Sequence, residues 1–285
     1  MLSIFSNWLS QAPLWLISLA LFGSMLAASM VGTALRRRRA RRAARDGESE
    51  TADDGEKGIV ISAVIGLLAL LVAFTFSIAI DRFDTRRRNV LDEANSIGTT
   101  YLRAQLLEEP HRARISGLLI RYTDTRLSLA MASRGPQQTA LLATSDRILV
   151  DLWAATVAAF PSIRANPLSH SFLDTMNNMI DMDSTRKAGR QARVPAEVFV
   201  VLILYLLVTT GIINYGLAGK SGRHTAIFLS LLFGMLMVLI IDLDRPVSGG
   251  ITESQEPMRQ LQAFMRSSPP GSFDRFSAAR PSAVQ

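Results

Sequence analysis

Four uncharged apolar runs decide what this 285-residue chain can fold into. They span residues 14–35, 58–80, 196–218 and 225–243, the last of them uncharged as far as Ile241. Each approaches or exceeds the ~20 residues that a helix needs to cross a bilayer. None carries a charge in its middle, and a buried soluble helix rarely stays apolar on every face over such a length. The expected fold is therefore all-α: an integral membrane protein with four transmembrane helices and a helical bundle inserted between helices 2 and 3. Its first partner is the lipid bilayer, and its expected location is the cell (inner) membrane, crossed several times.

The first run reads as a retained anchor and not as a cleaved leader. No Lys or Arg precedes it, its apolar core outlasts the 7–15 residues of a signal sequence, and "RRRRARR" follows at once. Within and beyond the N-terminal segment 1–13, Trp8 and Trp15 suit an interfacial aromatic belt. Residues 36–57, "RRRRARRAARDGESETADDGEK", form a basic block followed by an acidic one with no apolar content, expected to be a solvated charged loop without structure. The block has no interleaved aromatics to stack bases, so no nucleic-acid partner is expected.

Residues 81–195 hold the only sizeable polar stretch, and its periodicity is helical. Phe83, Val90, Ala94, Ile97 and Tyr101 continue the second span as one helix toward Glu108-Glu109-Pro110. Ile115, Leu118, Leu119 and Tyr122 mark a second helix, ending at Gly135-Pro136. Leu141, Leu142, Ile148, Leu149, Leu152 and Thr156 mark a third, and Leu168, Phe172, Met176, Met179 and Ile180 a fourth. Pro195 restarts the chain into the third span. Residues 246–285 read as a tail, largely disordered, with one short amphipathic helix carrying Met258, Leu261 and Met265 on one side.

Orientation rests on arginine, since only Lys57, Lys187 and Lys220 are lysines and the net charge is +7. Basic residues near the span ends leave the two orientations level. Short loops outweigh long domains, and seven arginines within residues 36–45 resist translocation. Both termini and the 81–195 bundle are thus expected outside.

Parity of four spans puts the ends of the second and fourth on the same side. "DRFDTRRR" and "DLDRP" then share one interface, together with Glu197 at the start of the third span. Asp81, Asp84, Glu197, Asp242 and Asp244 would face Arg82, Arg86 and Arg245 there. Carboxylates at a helix C-terminus oppose the macrodipole by about 0.3–1 kcal/mol each when exposed, and arginine forks are natural partners. Such a cluster either fixes helix ends and register or carries ions. The second span also bears a stripe of small residues, Ser62, Gly66, Ala69, Ala73 and Ser77, within about a quarter-turn. Small residues allow close helix approach in lipid. Gly23, Ala27, Ala28 and Gly32 repeat that spacing in the first span, and Ser230 and Gly234 in the fourth.

Catalytic, cofactor and metal sites are not expected. There is no cysteine, which excludes disulfides and thiolate metal centres. "GLAGKS" at 216–221 lacks the first phosphate-loop glycine, Asn214 standing in its place, and follows a membrane helix. His111, His170 and His224 are far apart, as surface histidines would be. Asp174, Asp181 and Asp183 lack the glycine and terminal glutamate of a calcium loop and read as a solvated face.

An anchor with arginines, then "GLLALLVAFTFSIAIDRFDTRRRNVLDEANSIGTTYLRAQLLEEP", a helical insert, two closing spans and "LIIDLDRPVSGGITESQEP" together resemble the bestrophin-like domain family of bacterial membrane proteins. The resemblance covers about residues 10–265, and Asp242–Pro246 and Glu93-Ala94-Asn95 are its most specific pieces. It implies kinship with bestrophins, pentameric anion channels with four spans per subunit, and hence a homo-oligomer around a pore. No aromatic neck or calcium clasp carries over residue by residue. The cytosolic polar region of bestrophins is also the reverse of the orientation that the charges favour. Two functions follow: a homo-oligomeric ion (anion) channel or transport component, or a non-catalytic sensor or scaffold whose bundle binds an unidentified protein partner or ligand.

Overall fold

A computed structural model describes residues 2–46, 54–132, 135–217, 219–246 and 249–276. Among them every long element is a helix and no strand occurs: α1 Leu2–Gln11, α2 Leu14–Asp46, α3 Asp54–Ala104, α4 His111–Met131, α5 Pro136–Ile163, α6 Leu168–Gln191, α7 Ala196–Gly216, α8 Gly219–Leu243 and α9 Glu256–Ser267, with a 3-10 turn at Asp274–Phe276. Four segments are long and apolar enough to cross a membrane, carried by α2, α3, α8 and the stretch Leu168–Gly216, of which α7 is the apolar part.

The chain divides into two compact units. Met1–Phe83 and Ala192–Thr252 form the first. Its core joins Ile17, Leu21 and Met25 of α2, Leu68 and Val72 of α3, Phe199, Leu202 and Leu206 of α7, and Met237, Ile240 and Ile241 of α8. The opposite faces of these helices stay apolar at the surface, as at Leu19, Phe74, Leu204 and Phe228, each about 60% exposed. That is the pattern of helices solvated by hydrocarbon, where no hydrophobic penalty attaches to an outward Leu or Phe.

Backbone approach fixes one crossing in this unit. A Cβ at Gly32 of α2 would lie 2.2 Å from the Gly211 carbonyl oxygen of α7. Gly234 of α8 likewise leaves room for the Phe22 ring of α2. Gly23 has no neighbour within 4 Å.

Asp84–Gln191 and the chain from Glu253 onward form the second unit. Ile97 and Tyr101 of α3, Ile115, Leu119 and Tyr122 of α4, Ile148 and Leu152 of α5, Phe172, Met176 and Met179 of α6, and Met258 and Met265 of α9 make its core. The helices are punctuated by the residues that the periodicity singled out. Gly135 takes φ +147°, a conformation a side chain would resist, and Pro136 opens α5 with its fixed φ.

Two boundaries differ from expectation, and one segment left without an assigned structure is helical. The arginine block expected in the 36–57 loop is helical through Asp46, because Arg and Ala are strong helix formers and an existing helix propagates into them without a new nucleus; residues 47–53 of that loop lie outside the described residues. The segment 1–13 contains α1. The tail 246–285 is not largely disordered over residues 249–276: α9 buries Met258 and Met265, because an apolar side of only two or three residues suffices once a core receives it. Residues 277–285 lie outside the described residues.

Candidate functional site

Three charged side chains close α8, and all are buried: Asp242 and Asp244 at 6% exposure and Arg245 at 2%. Their partners include backbone groups. Asp242 Oδ1 accepts the Gly250 N–H at 2.7 Å and Oδ2 the Ile251 N–H at 3.1 Å, so one carboxylate holds the chain reversal after the helix. Asp244 Oδ1 accepts the Val194 N–H at 2.8 Å, one residue before Pro195 caps α7. Arg245 Nη2 donates to the carbonyls of Ser10, at 3.3 Å, and Ala12, at the end of α1. Helix termini leave N–H and C=O groups without intrahelical partners, and a charged side chain satisfies them strongly. One tetrapeptide thus ties the ends of α1, α7 and α8. The reversal also excludes a side chain at residue 249, where a Cβ would sit 2.6 Å from Asp242 Oδ1 and 2.9 Å from the Asp242 carbonyl oxygen.

The other residues of the expected charged floor differ in burial and in the unit that holds them. Asp81 and Glu197 are exposed, the latter in the first turn of α7, where the helix dipole favours it. Arg82 is half-buried in the first unit. Asp84, half-buried, and Arg86, buried, belong to the second.

The second unit holds an ionic core that the sequence reading missed. Glu93, fully buried, meets Arg126 Nε at 2.7 Å and pairs with Arg186. Asp183 Oδ1 accepts from Arg126 Nη1 at 2.9 Å. Arg86 Nε meets Glu253 at 2.6 Å, and Arg186 Nη2 donates to Gln255 Oε1 at 2.9 Å. Three carboxylates and three guanidiniums thus pair in a buried setting, and the Lys187 ammonium adds a further cation on Asp183 Oδ2 at 2.6 Å. Tyr122 donates to Glu93 at 3.1 Å, and burial pushes its phenol well above the ordinary tyrosine value. The face expected of Asp183 was solvated, but the side chain is 3% exposed, because it falls in register with Phe172, Met176 and Met179 on the buried side of α6. That register was the available signal: Glu93 interrupts the Val90, Ala94, Ile97 stripe of α3 in the same way. Such pairs add little net stability over an apolar core, but breaking one costs about 3–5 kcal/mol.

The third feature is a bare helix face. Ser62, Gly66, Ala69, Ala73 and Ser77 of α3 are all exposed, and a Cβ at Gly66 would meet nothing within 4 Å. The opposite face carries Ile61, Leu68, Val72, Thr75 and Ala79, all buried. Among the described residues no group of His, Cys, Asp and Glu is arranged to hold a metal ion.

The chain as a whole is similar to known proteins. A family model described as the bestrophin-like domain matches residues 19–258. No curated protein matches the sequence. Among solved structures, a bacterial bestrophin homologue from Klebsiella pneumoniae is similar in fold, with a TM-score of 0.67 at 13% identity over 86% of this chain and 97% of that one. Two single-substitution forms of that homologue match at TM-scores of 0.65 and 0.62, with 13% and 14% identity over 87% of this chain and 98% of theirs. A chain whose described residues form no strand and carry four membrane-length helical segments, matched along most of its length by this family model, is a membrane protein that belongs to the bestrophin-like domain family.

Proposed function

We propose that this membrane protein is a homo-oligomeric ion channel or transport component, selective for anions, that crosses the inner membrane four times. Copies assemble with the small-residue face of α3 toward the common axis, and residues 84–191 with the α9 segment form a helical bundle inserted between the second and third spans. The observation that carries this reading is the exposed stripe Ser62, Gly66, Ala69, Ala73 and Ser77, opposite a face already packed. A face of small side chains offers lipid tails few contacts, whereas it lets neighbouring helices approach or leaves room for a water-filled path. Kinship with bestrophins supports anions as the conducted species. The bracket at Asp242, Asp244 and Arg245 has a different role in this reading. Its side chains bind backbone groups beside α1 and α7 and in the loop after α8, which supports a structural lock and not an ion path.

The test is flux from liposomes containing the purified chain. Chloride release is expected, and a single cysteine at Ala73 in the cysteine-free protein should be modified by a charged thiol reagent with loss of flux. A cysteine at buried Val72 should react far more slowly. Absence of anion and cation flux, together with a monomer by mass in detergent, would replace this reading with the non-conducting scaffold.

A further inference from the structure

Near one end of the first unit, the Gly32–Gly211 crossing leaves an open cleft of about 340 Å³ between α2 and α7. The two glycines form its floor. Val31 and Leu35 wall it on α2, and Val208, Ile212 and Tyr215 wall it on α7. Val31, Leu35 and Val208 are each half-exposed or more, so the cleft opens onto the apolar surface of the spans. The residue after Leu35 begins the arginine block, and two of its guanidiniums are held at the rim. Arg39 Nη1 donates to the Tyr215 hydroxyl at 2.8 Å, and Arg36 Nη1 donates to the Leu217 carbonyl at the end of α7. Each guanidinium has five donors, and Arg36 uses one of them on a protein acceptor among the described residues. Arg37, Arg38, Arg41 and Arg42 of the same helix are exposed.

A hydrocarbon groove that ends under fixed arginines is complementary to one kind of molecule. We propose that the cleft is a binding site for an anionic glycerophospholipid, one acyl chain lying along Gly32 and Gly211 and the phosphate resting against Arg36 and Arg39. Apolar walls alone would accept any lipid tail. The guanidiniums add charge-assisted hydrogen bonds to phosphate and attraction to a net negative headgroup, so they supply the selection among lipids. The site stands independently of conduction, because its occupant is read by binding.

The experiment uses the full chain in detergent, with bound lipid read by native mass spectrometry. The probes are phosphatidylglycerol and phosphatidylcholine with identical acyl chains, and glycerol 1-phosphate as the anion without tails. Phosphatidylglycerol should be retained at about tenfold lower concentration than phosphatidylcholine or better, given two arginines at a membrane surface; glycerol 1-phosphate should not be retained. Arg36→Gln with Arg39→Gln should equalise the two lipids without removing either. Val208→Trp, which fills the cleft, should remove both, and Leu35→Trp fills it from the other wall if that variant does not fold. Tyr215→Phe should keep the preference, which a merely structural role of the Arg39–Tyr215 bond would not predict. Equal retention of the two lipids by the unaltered chain would overturn the proposal. So would a preference that survives loss of both arginines, retention of glycerol 1-phosphate alone, or a disulfide between copies through Val208→Cys, which would place a second chain in the cleft.

Discussion

At the scale of residues, the closing segment of α8 shows how much a few side chains can organise. Asp242, Asp244 and Arg245 are buried, yet each meets backbone groups: Asp242 in the loop after α8, Asp244 just before α7, and Arg245 at the end of α1. The geometry discriminates between two adjacent glycines. A Cβ at Gly249 lies 2.6 Å from Asp242 Oδ1 and close to backbone, while one at Gly250 lies 3.3 Å from Oδ2. Gly249→Ala should therefore displace the Asp242 carboxylate and cost about 1–3 kcal/mol, the penalty of disturbing a buried acceptor. Gly250→Ala should cost clearly less. Thermal unfolding in detergent checks the order, and equal midpoints would show that the reversal does not depend on Asp242. The sequence marked these charges as notable but did not show the backbone groups they hold. It offers side chains by position, whereas the N–H and C=O groups that need them are set by where helices stop.

At the scale of elements, the segment after α8 is structural. Glu253 and Gln255 reach Arg86 and Arg186, and α9 places Met258 and Met265 in the second core. Ending the chain after Thr252 would leave two buried guanidiniums short of partners and open that core. A buried pair broken on one side costs about 3–5 kcal/mol, a large share of a domain's 5–15 kcal/mol. The truncated chain should thus lose residues 84–191 to protease at levels that spare the full chain. Equal resistance would mean that the tail is dispensable to the unit. The amphipathic pattern of α9 was legible, but its docking was not. Met258, Leu261 and Met265 define a helix face without naming the surface that receives it. The arginine block after the first span was misread for a related reason. Charge density says that residues are solvated, and says nothing against their continuing a helix already formed.

At the scale of the whole molecule, orientation in the membrane is the property that charges propose and that a labelling experiment decides. The seven arginines in residues 36–45 favour a cytoplasmic first connection, which places both termini and the exposed Ala140 outside. Since the chain has no cysteine, single cysteines at Ser49 and Ala140 report directly. They should label from opposite sides, Ala140→Cys from outside. Labelling of Ala140→Cys only from inside reverses the orientation, and the arginine rim of the lipid cleft then belongs to the outer leaflet.

The sequence by itself determined the helical class and the four membrane-length segments. Hydrocarbon length and 3.6-residue periodicity are local properties that no tertiary contact needs to complete. It also determined the small-residue stripe on α3, because spacing alone puts those residues on one face. Tertiary structure decided the rest. It left that stripe outside the packed core, buried Glu93 and Asp183 among arginines from distant helices, and drew Glu253 and Gln255 into the same ionic core. Charge pairing over long sequence separations depends on which helix faces meet, and that is fixed only when the faces are packed.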